Sequence, residues 1–270
     1  MPTTTSGGGA ARGRWLRALG LVGLGALLAA SPSAATQVRP ADAPASVDGR
    51  GPGAAPRALE RPGAPDTREL VVLVHGMGRT PASMWVLGRR LEKDGYRVVR
   101  FGYSSTRWSV AELGAALGRT VARRAGDAPR VHFVGHSLGT VVIRSMLAQA
   151  PPERTGRVVM LAPPNQGSAS ADRWAPVLGG VMPPIRELRT RPGSTARTLP
   201  LPEGVEVGII AGARDRKVRV AETQLPGARD HVVVGGFHTF LMNRPDVHRL
   251  VRAFLRHGSF SPAGTSTATP

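Results

Sequence analysis

The stretch VHFVGHSLGTVVIRSML, residues 131–147, decides how the rest of the chain is read. Apolar residues lead into Gly135, Ser137 stands between Gly135 and Gly139, and a helix-like pattern follows. A strand that turns at once into a helix leaves no room for side chains two positions either side of the serine, and glycine removes the Cβ atoms that would clash. The pattern is G-x-S-x-G, the nucleophile elbow, whose strained turn lifts a serine hydroxyl out of a sheet. The N-terminus of the following helix then presents free N–H groups where an oxyanion can form. The plainer reading is a glycine-rich strand–helix turn with an incidental serine. What lies on either side decides between them.

Outward from this stretch, strand and helix patterns alternate. Continuous apolar runs predict buried strands over 69–76 (ELVVLVHG), 96–103, 130–135, 156–162, 204–212 and 229–236. Residues 83–95 form an amphipathic pattern ending at Gly95. Ser109 and Glu112 have the spacing of a capping box and open a helix to about residue 125. A last helix over 244–258 has Pro245 early and Gly258 at its end. Such alternation, with Val, Ile and Leu filling the strands, implies an α/β fold: a mostly parallel central sheet with helices on both faces.

In such a sheet the reactive groups sit at the carboxyl ends of the strands. A neutral serine needs a base, and the base needs an orienting carboxylate. After an elbow of this kind the chain order is Ser, then Asp or Glu, then His. Asp215 lies in the loop after an apolar strand (IIAGARDRKV), and His238 lies just after the last strand (VVVGGFHTF). The competitors are less well placed. His231 opens a strand and is at the wrong end; His132 is inside one. His136 flanks the serine but is expected to point away from it, and His248 and His257 on the last helix are expected to be solvated. His75 closes the first strand and is expected to brace the loop after it. Asp230 is on the N-terminal side of the last strand, and Asp246 reads as a helix-dipole partner. Two N–H donors complete the set: Leu138, directly after the serine, and Met77 in VHGMGRT, where Gly76 and Gly78 let the backbone approach a substrate.

Composition bounds the alternatives. The chain has 270 residues, 41% of them hydrophobic, enough for a substantial core. The formal net charge is +18. All of the basic residues except Lys93 and Lys217 are arginine, scattered without a basic run or a helix-turn-helix pattern, so the excess reads as compositional bias and nucleic acid is not expected as a partner. An anionic membrane surface is the partner that this charge allows. Absence of cysteine excludes disulfides, thiolate metal sites and a cysteine nucleophile. Nothing in the motifs calls for a metal or an organic cofactor. At the N-terminus Arg12, Arg14 and Arg17 precede a 13-residue apolar run over 18–30, and Ser33 and Ala35 follow with the spacing of a cleavage site. Residues 1–35 are therefore expected to be a secretory signal peptide, and the protein secreted or held in the periplasm or cell envelope; an uncleaved N-terminal anchor is the alternative. Residues 36–68 and 259–270, poor in large apolar side chains, are expected to be a disordered linker and tail around a domain spanning 69–258.

The combination of LVHGMG, GHSLG, LAPPNQGS (161–168), GARDRKV and FHTFLMN, in that order, resembles the α/β-hydrolase superfamily, in particular small bacterial lipase- and esterase-like members. The resemblance implies a minimal α/β-hydrolase fold, a Ser137–Asp215–His238 triad, Met77 and Leu138 as oxyanion donors, and no cofactor. It implies hydrolysis of carboxylic, lipid-type acyl esters through an acyl-enzyme. An acyltransferase or thioesterase would use the same site, and a non-catalytic surface binding protein could use the same fold. The chain departs from larger lipases in its lid: only residues 169–202 are free to form one, as a short apolar flap or merely a connecting helix and loop.

Overall fold

The computed structural model describes residues 68–261 except Pro202. The expected signal peptide and nearly all of the expected linker and tail lie outside these residues. Six strands, β1 (Leu70–Val74), β2 (Arg97–Phe101), β3 (Val131–His136), β4 (Thr155–Leu161), β5 (Val207–Gly212) and β6 (Asp230–Val234), form one sheet in the order β2-β1-β3-β4-β5-β6, parallel throughout. The central strands are rich in apolar residues, unbroken in β1 and β5, because both of their faces are covered. Leu70, Val72 and Val74 point to one side with Phe133, and Val71 and Leu73 to the other with Val134 and Leu161.

The helices follow from the same patterns. Helix α1 (Trp85–Lys93), preceded by a 3-10 turn over Pro81–Met84, places Leu87 and Leu91 in the second of these layers. Helix α2 (Val110–Arg124) starts at the expected capping box: Ser109 Oγ accepts from the Glu112 N–H, and the Ser109 N–H donates to Glu112 Oε2 at 2.8 Å. It packs Leu113 and Leu117 beside Val142 and Met146 of α3 (Leu138–Gln149) in the first layer. Three short helices, α4 (Ala169–Leu178), α5 (Pro183–Glu187) and α6 (Thr195–Thr198), fill the segment between β4 and β5. Helix α7 (Pro245–His257) closes the second layer with Val251 and Phe254 and ends at Gly258, whose φ of 73° is the left-handed cap. Packing continues past that glycine, where the domain was expected to end. The Phe260 N–H donates to Asp230 Oδ2 at 2.7 Å, and its ring lies 5.0 Å from that of Phe254. Among the described residues no helix is long and apolar enough to cross a membrane.

Strand order places the site. The chain runs from β1 to β2 on one side, returns to β3 on the other side of β1, and then proceeds in one direction to β6. The winding reverses between β1 and β3, and the crevice at such a switch point lies beyond the carboxyl ends of those two strands. Beyond β1 is the His75–Gly76–Met77 loop; beyond β3 is Ser137. The close approach depends on Gly139. A Cβ there would stand 2.3 Å from the Val74 carbonyl oxygen and 2.6 Å from that of His75, both backbone atoms of the neighbouring strand end. Gly139→Ala is therefore expected to lower stability by ~3 kcal/mol, the upper end for an overpacked site. Gly180→Ala, at a position with no atom within 4 Å of the added carbon, is expected to leave it unchanged. Urea denaturation midpoints of the two variants test the contrast.

Candidate active site

Ser137 has φ 53° and ψ −124°, a backbone conformation that residues with a side chain rarely adopt. Such a conformation costs ~1–3 kcal/mol and persists only where the surroundings hold it. Here the Ser137 N–H donates to the Leu161 carbonyl at 2.9 Å, and its own carbonyl accepts from the Thr140 N–H at 2.9 Å and the Thr140 hydroxyl at 2.7 Å. A Cβ on Gly135 would meet Thr140 N at 2.8 Å, so the first turn of α3 can close over the strand only with glycine there. On the other side, a Cβ on Gly76 would lie 2.9 Å from His136 Nδ1 and 3.2 Å from Ser137 Cβ. The glycines thus serve three interfaces, elbow to helix, helix to β1 and β1 loop to elbow, and not the tight turn alone.

The structure brings the other two expected residues to the same place. His238 opens a 3-10 turn (His238–Asn243) after β6, and its Nδ1–H donates to Asp215 Oδ2 at 2.6 Å. Asp215 sits in the turn after β5 with its carboxylate buried. Its second oxygen accepts the Lys217 N–H at 2.8 Å and the Val218 N–H at 2.9 Å, which sets the carboxylate plane. Ser137 and His238 line one cavity of about 370 Å³, together with Gly76, Met77 and Gly78. No hydrogen bond among the described residues engages the Ser137 hydroxyl. Leu138 is the first residue of α3, where backbone N–H groups have no intrahelical partner, and Met77, in the loop after β1, lines the cavity.

Several residues that hold this arrangement were missed in the sequence or read differently. His136 does not simply point away: its fully buried ring lies 4.8 Å from that of His238, and its Nε2–H donates to the His238 carbonyl at 2.9 Å. It ties the elbow to the loop that carries the histidine. Burial, and then the nearby His238 and the cations of Arg79 and Lys217, hold His136 well below the ordinary histidine pKa. His75 braces its loop as expected, with Nδ1–H donating to the Gly76 carbonyl at 2.9 Å, and it has two unforeseen supports. Tyr103 stacks on it at 4.1 Å and donates to its carbonyl at 2.5 Å, and Ser105 Oγ accepts the Gly78 N–H at 2.9 Å. Both follow β2 in FGYSS, and their only sequence signal is that position at a strand's carboxyl end.

A second tether joins the loop after β4 to the loop carrying Asp215. Asn165 Nδ2 donates to the Thr223 carbonyl at 2.9 Å, and the Ser168 hydroxyl donates to the Lys217 carbonyl at 2.6 Å. The Ala169 N–H donates to buried Glu222 at 3.0 Å. The NQGS run was legible as a motif but not as this clamp. Residues 169–201 are more than a connection. Trp174, Leu178, Met182, Ile185 and Leu188 form an apolar wall of the cavity, so the segment is a flap over the site. Of the competitors, His231 bonds to Thr223 Oγ1 at 2.8 Å away from the cavity, and His132 accepts the Arg157 N–H at 2.8 Å. His248 is not solvated as expected; it pairs with Asp94 at 2.7 Å and joins α7 to the end of α1. Among the described residues no group of His, Asp and Glu is gathered as a metal site requires.

A parallel sheet with a serine at a strand–helix elbow and a histidine–aspartate pair at two later strand ends defines the architecture. The family model for the alpha/beta hydrolase family matches residues 71–261, and the chain belongs to that family. No curated protein is significantly similar in sequence. Among solved structures, the mature form of a Bacillus licheniformis lipase superposes with a TM-score of 0.58 at 18% identity, covering 68% of this chain and 88% of that one. A monoacylglycerol lipase from Paleococcus ferrophilus gives 0.53 at 17% identity, with coverage of 72% and 96%. A metagenomic carboxyl esterase gives 0.53 at 20%, with coverage of 67% and 68%. At these identities the likeness is one of fold.

His136 predicts a pH dependence of stability. It stays neutral in the fold, whereas in the unfolded chain it takes up a proton below about pH 6.5. The unfolded state then binds more protons, so stability falls as pH drops below that value, by up to ~1.4 kcal/mol per pH unit for this group. His75 and His231 are lowered by burial in the same direction. His136→Phe is expected to flatten the decline between pH 6.5 and 5, as read from urea midpoints against pH, without abolishing it.

Proposed function

We propose that this protein is a serine hydrolase that cleaves carboxylic esters of lipid type through Ser137, His238 and Asp215. The observation that carries the reading is the 2.6 Å bond from His238 Nδ1 to Asp215, with the strained Ser137 beside the same cavity. That bond puts the ring proton on Nδ1 and leaves Nε2 free to accept the serine proton. Ser137 Oγ attacks the ester carbonyl as Nε2 takes its proton. The N–H groups of Met77 and Leu138 bind the oxyanion. His238 then returns the proton to the leaving alcohol, and Asp215 steadies the charged ring. Water, activated by the same histidine, attacks the acyl-enzyme and releases the acid. No step needs a metal or an organic cofactor. The apolar wall from α4 and α5 supports an acyl chain as the bound half of the ester. Export follows from the N-terminal segment, whose arginines, short apolar run and small residues support a cleaved signal peptide.

Labelling of the purified protein with a fluorophosphonate tests the mechanism without knowledge of the substrate. The wild type is expected to label and Ser137→Ala not to. On a short-chain ester, Ser137→Ala and His238→Ala are each expected to lower kcat by ~10⁴-fold or more. A folded wild-type protein that neither labels nor turns over ester would overturn the hydrolase reading.

A further inference from the structure

The cavity at Ser137 is lined by two unlike groups of residues: the apolar Trp174, Leu178, Met182, Ile185 and Leu188, and the cationic Arg79, half-buried, and Lys217, exposed at its rim. Among the described residues no Asp or Glu lines the cavity. Some arginines elsewhere are neutralised locally, as in Arg157–Glu206 at 2.6 Å, Arg100–Glu92 at 2.8 Å and Arg244–Asp246 at 2.7 Å, while others, such as Arg107 and Arg173, have no ion pair among the described residues but lie outside the cavity. Among the described residues, neither the Arg79 guanidinium nor the Lys217 ammonium has an ion pair or a hydrogen bond. Their field is felt inside the site, since both contribute to holding His136 neutral.

Their positions along the chain say which half of an ester they face. Lys217 stands two residues beyond Asp215, and its backbone N–H is bonded to that carboxylate. It therefore belongs to the loop that holds His238, the group that must reach the leaving oxygen. Arg79 stands two residues beyond Met77, in the loop after β1. The acyl chain takes the apolar residues, which leaves the cationic ones to the alcohol. We propose that the alcohol half of the substrate carries an anion, a phosphate or a carboxylate, that is bound by Arg79 and Lys217. The inference rests on the hydrolase reading and names its substrate class. The bond broken is still the acyl C–O bond: water adds to the acyl carbon, and the alcohol departs with its anionic group intact. A general positive field would also favour an oxyanion, but it would do so equally for neutral and anionic esters. Recognition of the alcohol raises the second over the first.

The test compares matched soluble esters, each well below its aggregation concentration, so that no lipid surface is present. The hexanoyl ester of glycerol 3-phosphate is set against monohexanoylglycerol, and that of glycolate against that of ethylene glycol. The expected result is a kcat/KM ratio of about tenfold or more in favour of an anionic ester at low salt, shrinking as salt screens the charges. The phosphate and carboxylate arms identify the anion. In the double variant Arg79→Gln, Lys217→Gln the ratio is expected to fall to about one, chiefly through KM. A wild type that labels at Ser137 yet shows a ratio near one overturns the substrate class alone. So does a ratio that the double variant leaves unchanged, or a preference that appears only with esters presented in anionic vesicles. A folded wild type that neither labels nor hydrolyses any of the four esters overturns the hydrolase reading and this inference with it.

Discussion

Everything at this site depends on one backbone conformation. Ser137 occupies a region of φ/ψ space that a side chain disfavours, and it is held there by three absent Cβ atoms and three hydrogen bonds. Gly135 lets the first turn of α3 close over β3, Gly139 lets α3 settle on the end of β1, and Gly76 lets the β1 loop reach the serine. The strain is tolerable because β3 and the first three turns of α3 are fully buried and cannot relax elsewhere. The same close approach brings the start of α3, where the Leu138 N–H has no intrahelical partner, beside the loop after β1 that carries Met77. The proposed nucleophile and oxyanion donors thus rest on a single packing solution between neighbouring strands.

Around that point, the remaining parts arrive on loops from far along the chain and have to be tied down. His136 binds the elbow to the histidine loop, and the clamp from Asn165, Ser168 and Glu222 binds the loop after β4 to the aspartate loop. Arg144 does the same for the flap. Only 1% exposed, it donates to Asn165 Oδ1 at 3.2 Å, to the Ala196 carbonyl at 2.9 Å and to the Leu199 carbonyl. Among the described residues it has no carboxylate partner, and burial pushes its pKa down to about 10. A buried guanidinium among carbonyl oxygens is costly to strip of its partners. The return path of the flap is therefore anchored to the helix that begins at Ser137, and the apolar wall of the cavity is part of the packed domain.

Much of this was legible in the chain. Apolar runs in 69–76 and 130–135 marked buried strands, and the Ser109–Glu112 box and the Pro245 and Gly258 pair marked helix ends within a residue or two. Each of these signals is local: it depends on a backbone period or on a side chain reaching its own turn. The candidate site was legible for a related reason. The elbow requires glycines at fixed offsets, and Asp215 and His238 follow strands that end on the same edge. The supports were not legible. His136, Tyr103, Ser105 and Asn165 act on partners tens of residues away, and a histidine in a tight turn carries no mark of which carbonyl it will meet. His248, read as solvated from its place on an amphipathic helix, is paired because α1 happens to end beside it.

By itself, the sequence determined the alternation of strands and helices, the sharp turn at Ser137 and the order in which chemically competent residues follow it, because these rest on backbone geometry over a few residues. Only the tertiary structure decided that residues 169–199 cover the site, that Arg79 and Lys217 share a cavity with Ser137, and that no acidic side chain among the described residues joins them there. Those facts depend on which strand ends the winding of the sheet brings together, and no period or motif along the chain encodes that distance.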